Sequence, residues 1–200
     1  MHFLSWPNCL TVARIILIAP FVLSVIRTNQ YPNSRYAALA IFVIMALSDL
    51  LDGMIARRRG QVTRLGAFLD PMADKLMITC AVILLAHPTT AIEGRPLPPW
   101  VVVSIIGKDV IVVLGVIVIH LMTQRVLIAP SPSGKIATAL QAAMVFLLLL
   151  SPDLPQSIEL KLPRIAWIAA GIWAIIAAAD YIRRGSNALS EAEGRGNGKV

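Results

Sequence analysis

Charged side chains are scarce in this 200-residue chain, at 14% of residues, whereas hydrophobic residues make up 57%. A soluble domain carries about 25% charged residues and about 45–50% apolar residues. So few charges do not cover a water-soluble surface, which excludes a soluble globular enzyme. Disorder is excluded as well, because it requires low hydrophobicity and high charge. The composition therefore predicts an integral membrane protein that folds as one compact bundle.

Cysteine is also scarce, since only Cys9 and Cys80 are present, both beside or within apolar stretches. Two such residues provide neither a disulfide framework nor the spacing of metal ligands. The net charge is +7, but the basic residues are grouped between apolar segments. Basic groups in such places more often set membrane topology and contact anionic lipid than bind nucleic acid. We therefore expect a lipid bilayer around the chain and no nucleic-acid partner.

Long apolar runs dominate the rest of the sequence. A membrane-spanning helix needs about 20 mostly apolar residues. Six segments meet this requirement, at residues 10–26, 36–55, 67–86, 99–122, 136–151 and 164–182. We predict an all-α bundle of six transmembrane helices that forms a single membrane domain over residues 1–182. Residues 183–200 are polar and rich in glycine, and we predict a disordered C-terminal tail there.

The basic residues indicate how the bundle is oriented. Alternate loops differ in their content of arginine and lysine. The loops with more of these residues, together with the tail, carry Arg57, Arg58, Arg59, Arg64, Arg125, Lys135, Arg183 and Arg184. Arginine and lysine are enriched on the cytoplasmic side of membrane proteins, which places these loops and both termini in the cytoplasm. Arg27 and Arg35 are on the opposite side and go against this bias. We expect the chain to lie in the inner (plasma) membrane of a bacterium.

Aspartates near membrane segments need an explanation, because a carboxylate at mid-bilayer costs about 2.5 kcal/mol or more. Four of them fall within 26 residues: Asp49, Asp52, Asp70 and Asp74. The first two are i, i+3 at the end of the second predicted helix, and the last two are i, i+4 at the start of the third. Either spacing places a pair on one helical face. Since a short turn makes these helices antiparallel neighbours, all four carboxylates can converge at one depth.

Four converging carboxylates repel one another unless cations lie between them. Hard divalent cations meet this need, and Mg²⁺ commonly shares its ligand shell with substrate phosphates. Two metal ions about 3.5–4 Å apart are typical of phosphoryl chemistry. Gly53 and Ala56 leave room for a ligand beside the acids, and Arg57 can bind phosphate through two N–H groups. The alternative is that the aspartates pair only with the nearby arginines and Lys75, but their number and helical spacing favour a metal and phosphate site.

The aspartates belong to a longer pattern, which reads Asp49-x-x-Asp52-Gly53-x-x-Ala56-Arg57, eight residues, and then Gly66-x-x-x-Asp70-x-x-x-Asp74. This pattern resembles the signature of the CDP-alcohol phosphotransferase family, with every defined position present. Two further stretches resemble the branches of the family that make phosphatidylglycerophosphate and cardiolipin: Pro7-Asn8-Cys9-Leu10-Thr11-x-x-Arg14 and Gly134-Lys135-x-x-Thr138-x-x-Gln141. The resemblance covers most of the chain.

The resemblance implies six transmembrane helices, usually in a homodimer, with a polar cavity open to the cytoplasmic leaflet. Members displace CMP from a CDP-linked lipid such as CDP-diacylglycerol with an alcohol acceptor. By position, Asp49 and Asp70 would each contact both of two Mg²⁺ or Mn²⁺ ions. Asp52 would bind one ion, and Asp74 would bind the other and take the acceptor's proton as the catalytic base. The residues implied for the CDP-lipid are Asn8, Arg14, Gly53, Ala56, Arg57, Thr63 and Gly66.

Basic residues outside the signature are candidates for binding the acceptor. Lys108 interrupts the fourth apolar segment beside Asp109, Lys135 opens the fifth, and Arg125 lies in the loop between them. Glycerol 3-phosphate is small, soluble and almost doubly negative, so cations reachable from the cytoplasm favour it as the acceptor. Its product would be phosphatidylglycerophosphate. For Lys108 the alternatives are an internal ion pair with Asp109 or a side chain that extends to the membrane interface.

Three other functions compete with this prediction. A cardiolipin synthase that uses CDP-diacylglycerol and phosphatidylglycerol is the nearest alternative, because Lys108-Asp109 looks more like that branch's Arg-Asp than the other branch's Arg-Glu. An intramembrane prenyltransferase would hold its acid clusters in two distant regions rather than on one helical hairpin. A non-enzymatic membrane carrier would place carboxylates at mid-membrane rather than at helix ends beside three arginines.

Overall fold

The computed structural model of the protein describes residues 6–59, 64–123 and 131–197, with side chains over residues 12–48, 75–118, 121 and 131–187. All regular secondary structure in these ranges is helical. The α-helices, α1 to α6, are Trp6–Ile26, Ser34–Arg59, Arg64–Ala86, Pro99–Thr123, Pro132–Leu150 and Lys161–Asn197. Two 3₁₀ turns follow α3 and α5, at Ile92–Gly94 and Ser151–Asp153. The predicted all-α class is confirmed.

Three of the described helices are long and apolar enough to cross a membrane, over Pro99–Val118, Pro132–Asp153 and Lys161–Asn187. Shorter apolar segments lie within α1, α2 and α3, at Val12–Ile26, Ser34–Ser48 and Lys75–Ala86. Large apolar side chains cover the outside of several helices, with Val103, Leu121 and Ile165 exposed by 70%, 68% and 63%. An apolar exterior of this extent suits lipid rather than water. Membrane insertion is supported, and the topology of six spans stays a prediction.

The described helices form two compact units. The first unit consists of two stretches of chain, Met1–Pro98 and Ala142–Arg164. Within it α1 packs against both α2 and α3. The rings of Phe21 in α1 and Phe42 in α2 are buried, with centroids 6.1 Å apart. Helix α1 therefore holds the two helices that carry the signature aspartates.

Arg35 connects the start of α2 to the end of α5 within the first unit. Its buried guanidinium donates hydrogen bonds to the Leu149 carbonyl, at 3.0 Å, and to the Asp153 carboxylate, at 2.9 Å. The Tyr36 hydroxyl donates to the same carboxylate at 2.8 Å. The last carbonyls of a helix lack partners within the helix, so Arg35 satisfies one of them while Asp153 balances its charge. This contact gives a structural reason for Arg35, which lies on the side of the bundle where few basic residues are predicted.

The second unit also consists of two stretches of chain, Pro99–Gln141 and Ile165–Val200. The start of α5 is bound to α6 there. Ser133 donates its hydroxyl hydrogen to the Asp180 carboxylate, and Trp173 Nε1 donates to the Ser133 carbonyl at 3.2 Å. Because the chain returns from the end of α5 to the start of α6 through only residues 151–160, these contacts make the two helices antiparallel.

Two glycines bring α4 close to α6 in the second unit. A Cβ atom at Gly171 would lie 2.5 Å from the Trp100 ring, and one at Gly115 would lie 2.6 Å from the Tyr181 ring. Small residues at helix contacts allow this close approach in membrane proteins. Residue numbers rise together from the first contact to the second, so α4 and α6 run in the same direction. Trp100 also packs edge to face on Trp167, with ring centroids 5.9 Å apart.

The C-terminal residues differ from the prediction of a disordered tail, because α6 continues through Asn197. Arg184 Nε lies 3.0 Å from the Asp180 carboxylate, at the i, i+4 spacing that stabilises helices. Residues 188–193, ALSEAE, are mostly strong helix formers. Polar composition thus indicates where the apolar segment ends but not where the helix ends. The single domain over residues 1–182 stays a prediction.

We expect Gly171→Ala to lower the melting temperature of the detergent-purified protein, because the added methyl group would overlap the Trp100 ring. Overpacking of this kind costs about 1–3 kcal/mol. The matched control is Gly107→Ala, where an added Cβ would meet nothing within 4 Å. Alanine is the better helix former by about 0.8–1 kcal/mol, so the control should be neutral or stabilising. Equal melting temperatures for the two variants would contradict the proposed contact.

Candidate functional site

The signature aspartates lie in two helices of the first unit, Asp49 and Asp52 in α2, and Asp70 and Asp74 in α3. Both stretches are helical, as the i, i+3 and i, i+4 spacing requires. The side chains of all four lie outside the described residues, so their convergence stays a prediction. Because α1 packs against both α2 and α3, the helices that carry the aspartates share one supporting helix.

The chemistry of these residues suits a metal ion, since four carboxylates form the oxygen ligand set that hard divalent cations prefer. Among the side chains that the structure describes, no group of three or more His, Cys, Asp or Glu could hold a metal ion. The predicted metal site rests on the four aspartates, whose side chains lie outside the described residues, and it stays a prediction.

Most of the other predicted site residues also lie outside the described side chains. They are Asn8, Gly53, Ala56, Arg57, Thr63, Gly66 and Arg125. The backbone of Asn8 belongs to α1, that of Gly53, Ala56 and Arg57 to α2, and that of Gly66 to α3. Their predicted roles at the CDP-lipid, and that of Arg125 at the acceptor, stay predictions.

Arg14 is the one predicted CDP-lipid residue whose side chain is described. It lies in α1 and is only 1% exposed. A guanidinium is always charged in proteins, and burial of a charge is costly unless the charge has partners. The structure thus places a buried cation on the helix that packs against both aspartate-bearing helices. This position agrees with a role beside a phosphate-bearing ligand, and the role itself stays a prediction.

Lys108 lies in the middle of α4, with a side chain that is only 6% exposed. Its Nζ atom is 3.1 Å from the Asp109 carboxylate. The internal ion pair that the sequence offers as an alternative is therefore present. An ammonium group has three N–H donors, so this pair does not use up the hydrogen-bonding capacity of Lys108. A further contact with an anionic acceptor stays a prediction.

Lys135 occupies the first turn of α5, where its side chain is exposed. Ser131 caps this helix, because its side-chain oxygen accepts a hydrogen bond from the Gly134 N–H at 3.0 Å. The start of a helix carries a partial positive charge that attracts anions. Lys135 is thus accessible to a soluble anion, whereas Lys108 is buried in α4. The structure places these two candidate acceptor residues at different depths of the second unit.

Gln141 is a polar residue that ends the stretch beginning at Gly134 and is not among the predicted site residues. It is 1% exposed, and its Nε2 atom has no hydrogen-bond partner among the described residues. Ala137, Met144 and Val145, which are also buried on α5, are apolar. A single amide on an otherwise apolar helix face is the signal that could have identified it.

An open groove of about 400 Å³ lies between α2 and α5 in the first unit. Its walls are entirely apolar and consist of Phe42, Val43, Ala46, Leu47, Ala142, Ala143, Phe146 and Leu147. Such walls offer no hydrogen bond or counter-charge to a polar head group, so the groove is distinct from the polar cavity that the resemblance implies. That cavity stays a prediction.

We expect Lys108→Met to lower the melting temperature, because the largely buried Asp109 carboxylate would lose the ammonium group that lies 3.1 Å from it. Loss of one partner of a buried ion pair costs about 3–5 kcal/mol, and the partial exposure of Asp109 favours the lower end. Lys108→Arg keeps the charge and serves as the matched control, with a smaller loss. If both variants unfold at the wild-type temperature, the ion pair does not contribute to stability.

Comparison with known proteins identifies relatives over nearly the whole chain. Residues 4–180 match the sequence model of the family described as CDP-alcohol phosphatidyltransferase. A probable phosphatidylglycerophosphate synthase of Mycobacterium tuberculosis is 34% identical over 180 residues, which cover 88% of this chain and 79% of the relative. A CDP-diacylglycerol--glycerol-3-phosphate 3-phosphatidyltransferase of Bacillus subtilis is 30% identical over 194 residues, covering 92% and 96%. A CMP-forming cardiolipin synthase of Oryza sativa is 32% identical over 193 residues, covering 90% and 57%.

Proposed function

Because the chain belongs to the CDP-alcohol phosphatidyltransferase family, we propose that it transfers a phosphatidyl group from CDP-diacylglycerol to glycerol 3-phosphate. The products are phosphatidylglycerophosphate and CMP, which makes the protein an enzyme of phospholipid synthesis. The observation that carries this proposal is the similarity, over about nine tenths of the chain, to relatives named for this activity in Mycobacterium tuberculosis and Bacillus subtilis. The complete signature of acids and small residues in α2 and α3 supports it.

In the proposed reaction, a hydroxyl oxygen of the acceptor forms a bond to the lipid-bearing phosphorus while the bond from that phosphorus to CMP breaks. Asp74 takes the hydroxyl proton. Asp49, Asp52, Asp70 and Asp74 would hold two Mg²⁺ or Mn²⁺ ions. When bound, these ions would neutralise the charge of the diphosphate and polarise its oxygens. Carboxylates and a diphosphate are all negative, so the acids face this substrate favourably only with cations between them.

The other signature residues would bind the CDP-lipid. Glycine and alanine at 53, 56 and 66 leave space for the ligand next to the helices. Arg57 and the buried Arg14 would provide positive charge for the phosphates. Asn8 and Thr63 would provide hydrogen bonds. The packing of α1 against α2 and α3 supports this arrangement for Arg14.

Glycerol 3-phosphate is the proposed acceptor because exposed Lys135 is accessible to a soluble anion, with Lys108 and Arg125 as further cations. Cardiolipin synthesis from CDP-diacylglycerol and phosphatidylglycerol is the second candidate. The Lys108-Asp109 pair and the similarity to the Oryza sativa cardiolipin synthase favour it. A non-enzymatic carrier has no such support, because the family is one of transferases.

We further propose that the protein is a homodimer in a bacterial inner membrane, with six transmembrane helices and a polar cavity open to the cytoplasm. Three long apolar helices support membrane insertion. The arginines that follow the second apolar segment support a cytoplasmic position for the ends of α2 and α3 that carry the aspartates.

We expect the purified protein, given CDP-diacylglycerol, Mg²⁺ and glycerol 3-phosphate, to release one CMP for each phosphatidylglycerophosphate formed. Mass spectrometry of the lipid products, with a parallel reaction on phosphatidylglycerol, identifies the acceptor. Excess chelator should abolish turnover, and Mg²⁺ or Mn²⁺ should restore it, because the acids hold the diphosphate only through cations. Cardiolipin as the only product would favour the second candidate, and full turnover in chelator would refute the metal site.

We expect Asp74→Asn to leave CDP-diacylglycerol binding largely intact while kcat falls by about 10²-fold or more, the usual effect of a lost general base. Asparagine preserves the size of the side chain but does not take up the proton. The comparison variant is Asp49→Ala, which removes a proposed ligand of both ions and should weaken binding as well as turnover. Equilibrium binding and kcat are measured for both. Lost binding in Asp74→Asn, with no specific loss of chemistry, would make Asp74 a ligand only, and near-normal activity of Asp49→Ala would refute the assignments.

A further inference from the structure

Gln141 has a buried hydrogen-bond donor that no described residue uses. Its side chain is 1% exposed, and Nε2 has no acceptor within the part of the chain that the structure describes. Buried polar groups in proteins are almost always hydrogen-bonded, and polar residues inside membrane segments usually mark functional sites. An apolar side chain at this position would avoid the cost of a buried donor without a partner, so the amide needs an explanation. The amide therefore points to a ligand with an acceptor atom.

Two contacts define a common level on the three helices of the second unit. The ring of Tyr181 in α6 lies against Gly115 in α4. The preceding residue, Asp180, accepts a hydrogen bond from Ser133 in α5. Since Asp180 and Tyr181 are consecutive, Gly115 and Ser133 lie at nearly the same height along α6.

Lys108 and Gln141 lie at similar distances from this level. Lys108 is seven residues before Gly115, and Gln141 is eight residues after Ser133. With a rise of 1.5 Å per residue, these separations are about 10 Å and about 12 Å. The step back from Gly115 to Lys108 leads toward the start of α6, because α4 is parallel to α6. The step forward from Ser133 to Gln141 leads the same way, because α5 is antiparallel to α6. The buried ammonium and the buried amide therefore lie at nearly the same depth of the second unit.

A cation and an unused N–H donor at one depth suit an anionic oxygen. Asp109 already balances the charge of Lys108 at 3.1 Å, so a neutral amide adds recognition of an anion without a further charge in the bundle. Phosphate is the anionic group that glycerol 3-phosphate and phosphatidylglycerol share. We propose that Gln141 is an acceptor-binding residue, whose Nε2 donates a hydrogen bond to a phosphate oxygen of the acceptor near Lys108. This inference rests on the proposed function, which provides the acceptor.

A purely structural role for Gln141 has a different consequence. If the amide only fills space, an apolar side chain of similar length would remove an unsatisfied donor and raise the melting temperature. It would leave the KM values of both substrates unchanged. The KM of the acceptor, compared with that of CDP-diacylglycerol, therefore separates the two roles.

The test uses full-length Gln141→Met, because methionine is similar in length and adapts to its surroundings. We expect the KM for glycerol 3-phosphate to rise about tenfold or more, as for a lost hydrogen bond to a charged group. The KM for CDP-diacylglycerol should stay close to the wild-type value, and a raised melting temperature is compatible with either role because the donor is unused in the ligand-free protein. Met144→Leu is the matched control: Met144 is also buried on α5, the change conserves volume, and both KM values should equal those of the wild type.

An unchanged acceptor KM in Gln141→Met would overturn the inference, and the proposed function would stand if the wild type still forms phosphatidylglycerophosphate. If Gln141→Met does not fold, Gln141→Asn keeps an amide but withdraws it from the ligand, and the same rise in acceptor KM is expected. If the wild type uses only phosphatidylglycerol, the proposed function fails. A raised KM for phosphatidylglycerol in Gln141→Met would then still support the phosphate contact, and an unchanged one would overturn it.

Discussion

A charge inside an apolar bundle needs a partner, because the bilayer interior offers no water to solvate it. The described helices meet this constraint through paired charges, some of which also join helices. Arg35 and Asp153 join the start of α2 to the end of α5. Asp180 joins α6 to the start of α5 through a serine, and Lys108 and Asp109 neutralise each other within α4. The chain has few charged residues. Those in the described pairs either join two helices or neutralise each other within one helix.

The same constraint applies to the four signature aspartates that the sequence predicts to converge. Asp109, Asp153 and Asp180 each have a basic side chain within 3.1 Å, which accounts for them structurally. Four acids at two helical spacings repel one another where they converge, even with arginines and a lysine nearby. Bound divalent cations and an anionic diphosphate would balance them as a group. The grouping of four acids at helical spacing in α2 and α3 is thus a chemical argument for a site, independent of the family to which the chain belongs.

Helix positions follow closely from the apolar segments of the sequence, since the predicted 99–122 corresponds to α4 at Pro99–Thr123. The end of α6 does not follow from the apolar segment. The helix continues through a polar stretch of good helix formers, beyond the point where the apolar residues end. The partner of Arg35 is equally hidden: Asp153 is 118 residues away, and no local pattern connects them. Gln141 ends a stretch that resembles the family, but its neutral amide carries no charge that would mark it as a site residue. Its significance depends on burial, which only the packed helices reveal.

The candidate residues divide between the two units according to the substrate they would bind. The aspartates and Arg14 belong to the first unit, and Lys108, Lys135 and Gln141 to the second. With this division, substitutions in the second unit could change the acceptor while leaving the phosphate and metal chemistry of the first intact. Relatives of similar identity to this chain carry different names, a glycerol-3-phosphate 3-phosphatidyltransferase in Bacillus subtilis and a CMP-forming cardiolipin synthase in Oryza sativa. Acceptor choice in such a chain would depend on a few polar side chains of α4 and α5, exposed Lys135 among them. The buried ones matter most, because in an apolar interior each added donor or charge has a large effect on which head group is bound.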